Sequence, residues 1–231
     1  MSFDPDALRR DLERRFVLST ARVRCGAHDV EIAKPRSAEE LIVEEDFERD
    51  ERMPYWAELW PSAVVLADVV AGGGASIAPA SGKARALELG CGLGLVTLAA
   101  MHAGWEVLAT DWYEDALRFT AYNTWRGLGR VAATRMVDWH HLPPELGTFD
   151  LVLAADVLYE PRYAALVSNA IARTLAPRGR ALLADPGRAA TTRFLEESER
   201  AGLRLTRRWS RPFRSEAVSQ TITIYELAPI A

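Results

Sequence analysis

Along the second two thirds of the chain, short apolar runs alternate with longer stretches whose apolar residues recur three and four apart. The runs at 85–89, 106–110, 134–137, 151–155 and 181–184 have the length and apolar content of buried strands. The stretches at 93–103, 113–127, 162–175 and 190–201 carry the helical period. Residues 204–209 and 219–226 alternate apolar and polar and read as two closing strands. Strand–helix alternation of this kind predicts an α/β fold, a mostly parallel sheet with helices on both faces. Its ligands would sit beyond the carboxyl ends of the strands, where the strand order reverses.

The first third has a different pattern. Residues 4–16 predict a short helix with Leu8, Leu12 and Phe16 on one face, followed by strands at 16–23 and 29–33 around Gly26, a hairpin. Pro35 ends the hairpin, and 38–52 is an acidic stretch, helical or irregular. A tryptophan-rich segment from Pro54 to Pro61 leads into a helix at 63–70, and 72–82 is a loop of Gly, Ala, Ser and Pro. That loop divides an N-terminal extension and lid, 1–82, from a core of 83–231 that forms one compact unit.

Composition narrows the picture. With 49% apolar residues in 231 and a net charge of −4, the chain can build a large core and is not a disordered one. The longest charge-free run, 89–105, contains four glycines and a histidine and does not read as a membrane span. Asp4, Asp6 and Asp11 lie among the N-terminal arginines, with no apolar segment to make a secretory signal, so a cytoplasmic location is expected. Arginines number 26 against two lysines, but they are scattered and outnumbered by acids, which argues against a nucleic-acid footprint and for biased composition. Cys25, Cys91 and four histidines show no metal-ligand spacing. The adjacent rings of His140 and His141 would point apart in a regular element. No heptad is visible, and a monomer is expected.

The candidate chemistry begins at Glu88-Leu89-Gly90-Cys91-Gly92-Leu93-Gly94, which ends the first core strand and opens into a helix. Twenty-one residues after Gly90, Asp111 ends the next strand, placed to accept two hydrogen bonds from a ribose diol or to cap the helix after Trp112. A pyrophosphate fingerprint would need glycine at position 95, where Leu95 stands, and Glu88 would repel a pyrophosphate. An acidic strand end suits a cationic amino group, as S-adenosylmethionine carries beside its ribose. Asp138 could then accept the exocyclic amine of adenine, with Trp139 as a stacking face or as ordinary core.

These residues resemble the seven-β-strand (class I) methyltransferases. Glu88 to Gly94 matches their first motif and Asp111 the acidic residue ending strand two. Asp156-Val157-Leu158-Tyr159 resembles the (Asp/Glu)-x-x-Tyr motif of the lysine-methyltransferase subgroup, and Tyr55-Trp56 with Trp60-Pro61 its N-terminal tryptophan region. Asp185-Pro186-Gly187-Arg188 is similar to the enzymes acting on the electron-transfer flavoprotein β-subunit and their bacterial relatives. The resemblance implies a Rossmann-like seven-stranded sheet with S-adenosylmethionine as cofactor. It also implies Trp56, Glu88, Gly90, Cys91, Gly92, Gly94, Asp111, Trp112, Asp138, Trp139 and Asp156 as the cofactor-binding set.

Methyl transfer from a sulfonium is a direct displacement, served chiefly by positioning, a contribution of up to roughly 7–11 kcal/mol. A lysine nucleophile must first lose its proton, at a cost of about 4.6 kcal/mol at pH 7. Asp156 is expected to position the amine rather than act as a strong base, and Tyr159 to offer an aromatic wall and a hydroxyl. Trp56 and Trp60 are expected to form a pocket lid, with plain core as the alternative. Arg188 could meet a substrate acid or pair with Asp185. The expected function is N-methylation of a protein lysine, without nucleic acid, membrane or metal. A small amine or pyridine as acceptor, and a non-catalytic cofactor-binding or assembly module, are the alternatives.

Overall fold

The structure, a computed structural model, describes residues 3–41, 54–72 and 84–230. Helix α1 (Pro5–Arg15) starts where Asp4 accepts the N–H groups of Asp6 and Ala7, both at 3.0 Å, with Pro5 in the first turn. Strands β1 (Leu18–Cys25) and β2 (His28–Pro35) pair as the expected hairpin around Gly26. After a 3-10 turn at Tyr55–Ala57, helix α2 (Pro61–Ala71) follows. The acidic stretch beyond Leu41 and the small-residue loop beyond Gly72 lie outside the described residues.

The core runs β3 (Arg85–Leu89), α3 (Leu95–His102), β4 (Glu106–Asp111), α4 (Glu114–Leu128), β5 (Ala133–Met136) and β6 (Phe149–Ala155). It continues through α5 (Tyr163–Thr174), β7 (Leu175–Asp185), α6 (Thr191–Arg200), β8 (Leu203–Arg214) and β9 (Ser219–Pro229). One seven-stranded sheet results, in the order β5-β4-β3-β6-β7-β9-β8, parallel except for β9. The order reverses between β3 and β6, and both end at one edge of the sheet, so a crevice opens there.

Period-two alternation along the strands divides the core between two faces. Ala86, Leu151, Leu153, Leu182 and Ala184 pack with α2, α3 and α4. Leu87, Leu89, Val152, Ala154, Ala181 and Leu183 pack with α5 and α6. The first face also takes Leu12 of α1 and Val23, Cys25 and Ile32 of the hairpin. Asn123 of α4, fully buried, accepts the N–H of Ala33 at 2.8 Å and donates to the carbonyls of Ala33 and Leu93 at 2.9 Å each. That amide joins the hairpin, the helix and the glycine loop.

Two strands run further than their apolar runs. β7 begins at Leu175 rather than 181, because the register to β6 shifts between Phe149 and Leu151 and so accommodates Pro177 and Gly179. β8 continues through Pro212 to Arg214; it is an edge strand, where a proline costs no ladder bond.

Candidate active site

A cavity of about 320 Å³ opens at the carboxyl ends of β3, β4 and β6, within the size range of small-molecule sites. Glu88, Gly90, Cys91, Gly92, Asp111 and Trp112 line it from the first two strand ends. Asp138, Trp139, Asp156 and Tyr159 line it from the next two, and Trp56 and Trp60 from the segment before α2. Gly94 and Arg188 are not among its lining residues.

Gly94 instead sets the loop's course. Its φ of +80° is the left-handed region, and a Cβ there would stand 2.8 Å from the Thr120 Cα. At Gly92, also left-handed, a Cβ would stand 3.2 Å from the Trp56 carbonyl oxygen, so the tryptophan segment lies directly on the loop. Asp111 ties the loop to β4: Oδ2 accepts the Gly92 N–H at 2.9 Å and Oδ1 that of Tyr113 at 3.0 Å. Asp111 does not cap α4, whose N-cap is Tyr113 without a side-chain bond; the Asp111 carboxylate braces the loop and lines the cavity. Burial raises the Asp111 pKa despite those backbone bonds. The Cys91 thiol is buried, takes a hydrogen bond from Thr120 at 3.3 Å and has its pKa pushed well up by that burial. It is an inert wall.

Glu88 is 2% exposed and accepts a hydrogen bond from the Thr97 hydroxyl. Burial lifts its pKa to about 8, with the Asp111 charge adding to the rise and Thr97 opposing it. A carboxylate balanced in this way needs a positive partner to stay ionised. The cavity is lined by Glu58, Glu88, Asp111, Asp138, Asp156 and Glu160. Lys34, Arg188 and Arg162 pair with Glu58, Asp156 and Glu160, which leaves Glu88, Asp111 and Asp138 without a lysine or arginine partner among the described residues. This donor set would repel a pyrophosphate. It fits S-adenosylmethionine, whose ammonium and sulfonium are cationic and whose ribose diol can donate to Asp111.

At the other end of the cavity, Asp156 follows β6 with φ +57°, the non-glycine residue with left-handed backbone among those described. Its side chain is buried between two donors: Arg188 Nε at 2.5 Å to Oδ1 and Ser62 Oγ at 3.1 Å to Oδ2. Burial raises its pKa while the Arg188 bond and charge pull the other way. The Arg188 guanidinium thus meets Asp156 rather than Asp185; Asp185 Oδ1 accepts the Gly187 and Arg188 N–H groups and the Thr191 hydroxyl, and its Oδ2 is buried without a partner among the described residues. The guanidinium also lies over the Trp60 ring, 5.8 Å from its centroid.

Tyr159 stands between Tyr55 and Tyr163, with centroid distances of 4.7 and 4.9 Å. Burial holds its phenol above the usual range, so it remains a neutral donor. Trp139 meets Tyr163 edge to face at 5.6 Å. Rings from Trp60 through Tyr55, Tyr159 and Tyr163 to Trp139 form one continuous wall.

Two expectations change. Trp56 is only 9% exposed and packs against Phe16 and Phe119 at 6.0 and 5.6 Å, so its ring belongs mostly to the core rather than to a lid. The His140 and His141 rings do not point apart; in their 3-10 turn both Nδ1 atoms reach Asp138, at 3.0 Å each. Asp138, which lines the cavity, caps that turn through the His140 N–H as well. Ser62, Thr97, Tyr55 and Tyr163 were absent from the expected set. Tyr163 follows Tyr159 at helical spacing, a usable signal, whereas Ser62 reaches Asp156 only through tertiary packing.

Fold, glycine loop and acidic strand ends together define a Rossmann-like protein of the class I methyltransferase type. More narrowly, the chain belongs to the lysine methyltransferase family, whose sequence profile matches residues 37–201. It is 29% identical over 145 residues to the electron transfer flavoprotein beta subunit lysine methyltransferase of Xenopus laevis, covering 59% of this chain and 54% of that protein. It is 35% identical over 126 residues to the protein N-lysine methyltransferase METTL21A of Danio rerio, covering 51% and 55%. The chain thus spans about half the length of the curated relatives it matches. Among solved structures it shares its fold with the magnesium protoporphyrin IX methyltransferase of Synechocystis with bound S-adenosylmethionine. That likeness has a TM-score of 0.58 at 16% identity, covering 73% of this chain and 80% of that one.

Proposed function

We propose that this protein is an S-adenosylmethionine-dependent N-methyltransferase that methylates a protein lysine by direct in-line displacement. The observation that carries the reading is the buried Asp156, fixed between Arg188 and Ser62 on the aromatic wall of an acidic cavity that begins at the glycine loop. When bound, the cofactor supplies an electrophilic methyl group on its sulfonium. The chain supplies placement. Asp111 and Glu88 would hold the ribose and ammonium ends. Asp156, with a donor on each oxygen, keeps lone pairs to orient an incoming amine but is poorly placed to carry away its proton. The rings of Tyr55, Tyr159 and Tyr163 reduce hydration around the ammonium, which lowers the cost of about 4.6 kcal/mol for reaching the neutral amine at pH 7.

We place the protein in the cytoplasm as a monomer that does not use nucleic acid; the two free cysteines fit a reducing compartment. Calorimetry with S-adenosylhomocysteine followed by radiolabelled transfer into a fractionated lysate tests the reading. It requires micromolar binding and label in protein. Label confined to the small-molecule fraction would move the acceptor to a free amine, and no binding would remove the cofactor.

A further inference from the structure

The excess of arginine has a location as well as a number. Most described arginines outside β8 lie against a carboxylate, as Arg15 does with Asp115, Arg118 with Asp11 and Arg126 with Glu31. Strand β8 departs from this. Its sequence, Leu203 to Arg214, holds Arg204, Arg207, Arg208, Arg211 and Arg214 and no acid, and all five arginines are exposed. Arg211 pairs with Asp68 of α2. The other four have no ion pair among the described residues, although Glu226 stands directly across from Arg207 in the register. Arg207 and Arg208 lie over the rings of Trp209 and Tyr225.

β8 is also the edge of the sheet, so one row of its N–H and C=O groups faces outward. The register places Ser210 level with Thr223, and Thr223 level with Asp185 at the end of β7. Residues 211–214 therefore project about 13 Å past the edge where the cavity opens. Three strand spacings, about 14 Å, separate β8 from β6 and hence from Asp156.

We infer that the β8 edge is a docking strip for an acidic, extended segment of the protein acceptor; this rests on the lysine-methyltransferase reading above. The basic strip and acidic cavity together match a cationic lysine flanked by acids. A nucleic acid would suit the strip but be repelled by the cavity's carboxylates. An extended segment would add to the outward ladder of β8, unpaired among the described residues, with its carboxylates on Arg208 and Arg214, which share one face of the strand; the register shift between Leu205 and Arg207 puts Arg204 on the other face. The added segment lies one spacing further out, about 19 Å from β6; a lysine side chain spans about 6 Å, which leaves about 13 Å of backbone, so the acceptor lysine lies about four residues from the acidic run.

The test measures anisotropy of a fluorescein-labelled peptide alternating Glu and Val, with one lysine four residues beyond. A Gln-for-Glu peptide and a single-stranded DNA dodecamer serve as comparisons. The Glu peptide is expected to bind best and to weaken with salt. The double variant Arg208→Gln/Arg214→Gln is expected to lose at least tenfold in affinity while its S-adenosylhomocysteine binding, the check on folding, stays unchanged. With labelled S-adenosylmethionine, that variant should raise KM for the Glu peptide and leave kcat. Equal affinity for the Glu and Gln peptides, an unaffected double variant, or preference for the DNA overturns the inference. Arginine-dependent binding without methyl transfer upholds the strip and counts against the lysine reading instead.

Discussion

Glu88 and Asp156 are both buried carboxylates, yet they answer to different partners. Glu88 is supported by the hydroxyl and the backbone N–H of Thr97, with no cationic partner among the described residues, and burial lifts its pKa to about 8, against 4.5 ordinarily. The folded chain therefore holds its proton more tightly than the unfolded chain. The resulting stabilisation is full below about pH 4.5, falls as pH rises and is gone above about 8. Thermal melts of the empty protein should drop across that window more steeply than those of Glu88→Gln. A cationic ligand favours the ionised form, so binding of S-adenosylhomocysteine should release a proton and tighten as pH rises toward 8. Calorimetry in buffers of different ionisation heat reads both effects, and Glu88→Gln should abolish them. Asp156 is anchored by Arg188 and Ser62. Asp156→Asn keeps the shape and removes the charge, and should cut methyl transfer at least tenfold while changing the S-adenosylhomocysteine Kd less than about threefold. Equal losses in both would make Asp156 a structural residue only. Residue roles were partly legible in the chain: the types at 88, 111 and 156 announced carboxylate chemistry at strand ends. Arg188's partner was not legible, since 32 positions separate it from Asp156 and only strand order brings them together.

At the scale of elements, the glycine loop is held from three directions. Asp111 bonds to Gly92, Thr120 crowds Gly94, and Asn123 reaches Leu93 and the hairpin. Gly94→Ala combines a left-handed backbone with a 2.8 Å contact to main chain, and should cost at least about 1–3 kcal/mol. The melting temperature should fall by several degrees. Asn123→Ala strands buried partners at Ala33 and Leu93, each worth about 1–3 kcal/mol. Amide exchange should then quicken across β1 and β2 more than across β6; uniform quickening would mean that Asn123 is not a local clasp. Helix and strand order was readable from periodicity alone, since β3, β4 and β6 are apolar on both faces. The far ends of β7 and β8 were hidden because Pro177, Gly179 and Pro212 read as breakers. A register shift and an edge position tolerate them.

For the whole molecule, charge is divided by place. The cavity gathers carboxylates at the sheet's carboxyl edge, and β8 gathers arginines at its side. Composition could not show this, because a net charge of −4 averages both. The hairpin and α1 share one hydrophobic cluster with the sheet, and so contribute to the same core that positions the site. The central claim, methyl transfer to a protein lysine, is most directly tested by peptide mapping. Lysate proteins incubated with the purified protein and deuterated-methyl S-adenosylmethionine would be digested and read by mass spectrometry, with Asp156→Asn in parallel. The isotopic methyl mass is expected on a lysine side chain in the wild-type sample, reduced at least tenfold in the variant. Isotopic methyl on arginine, on carboxylates or only on small molecules would contradict it.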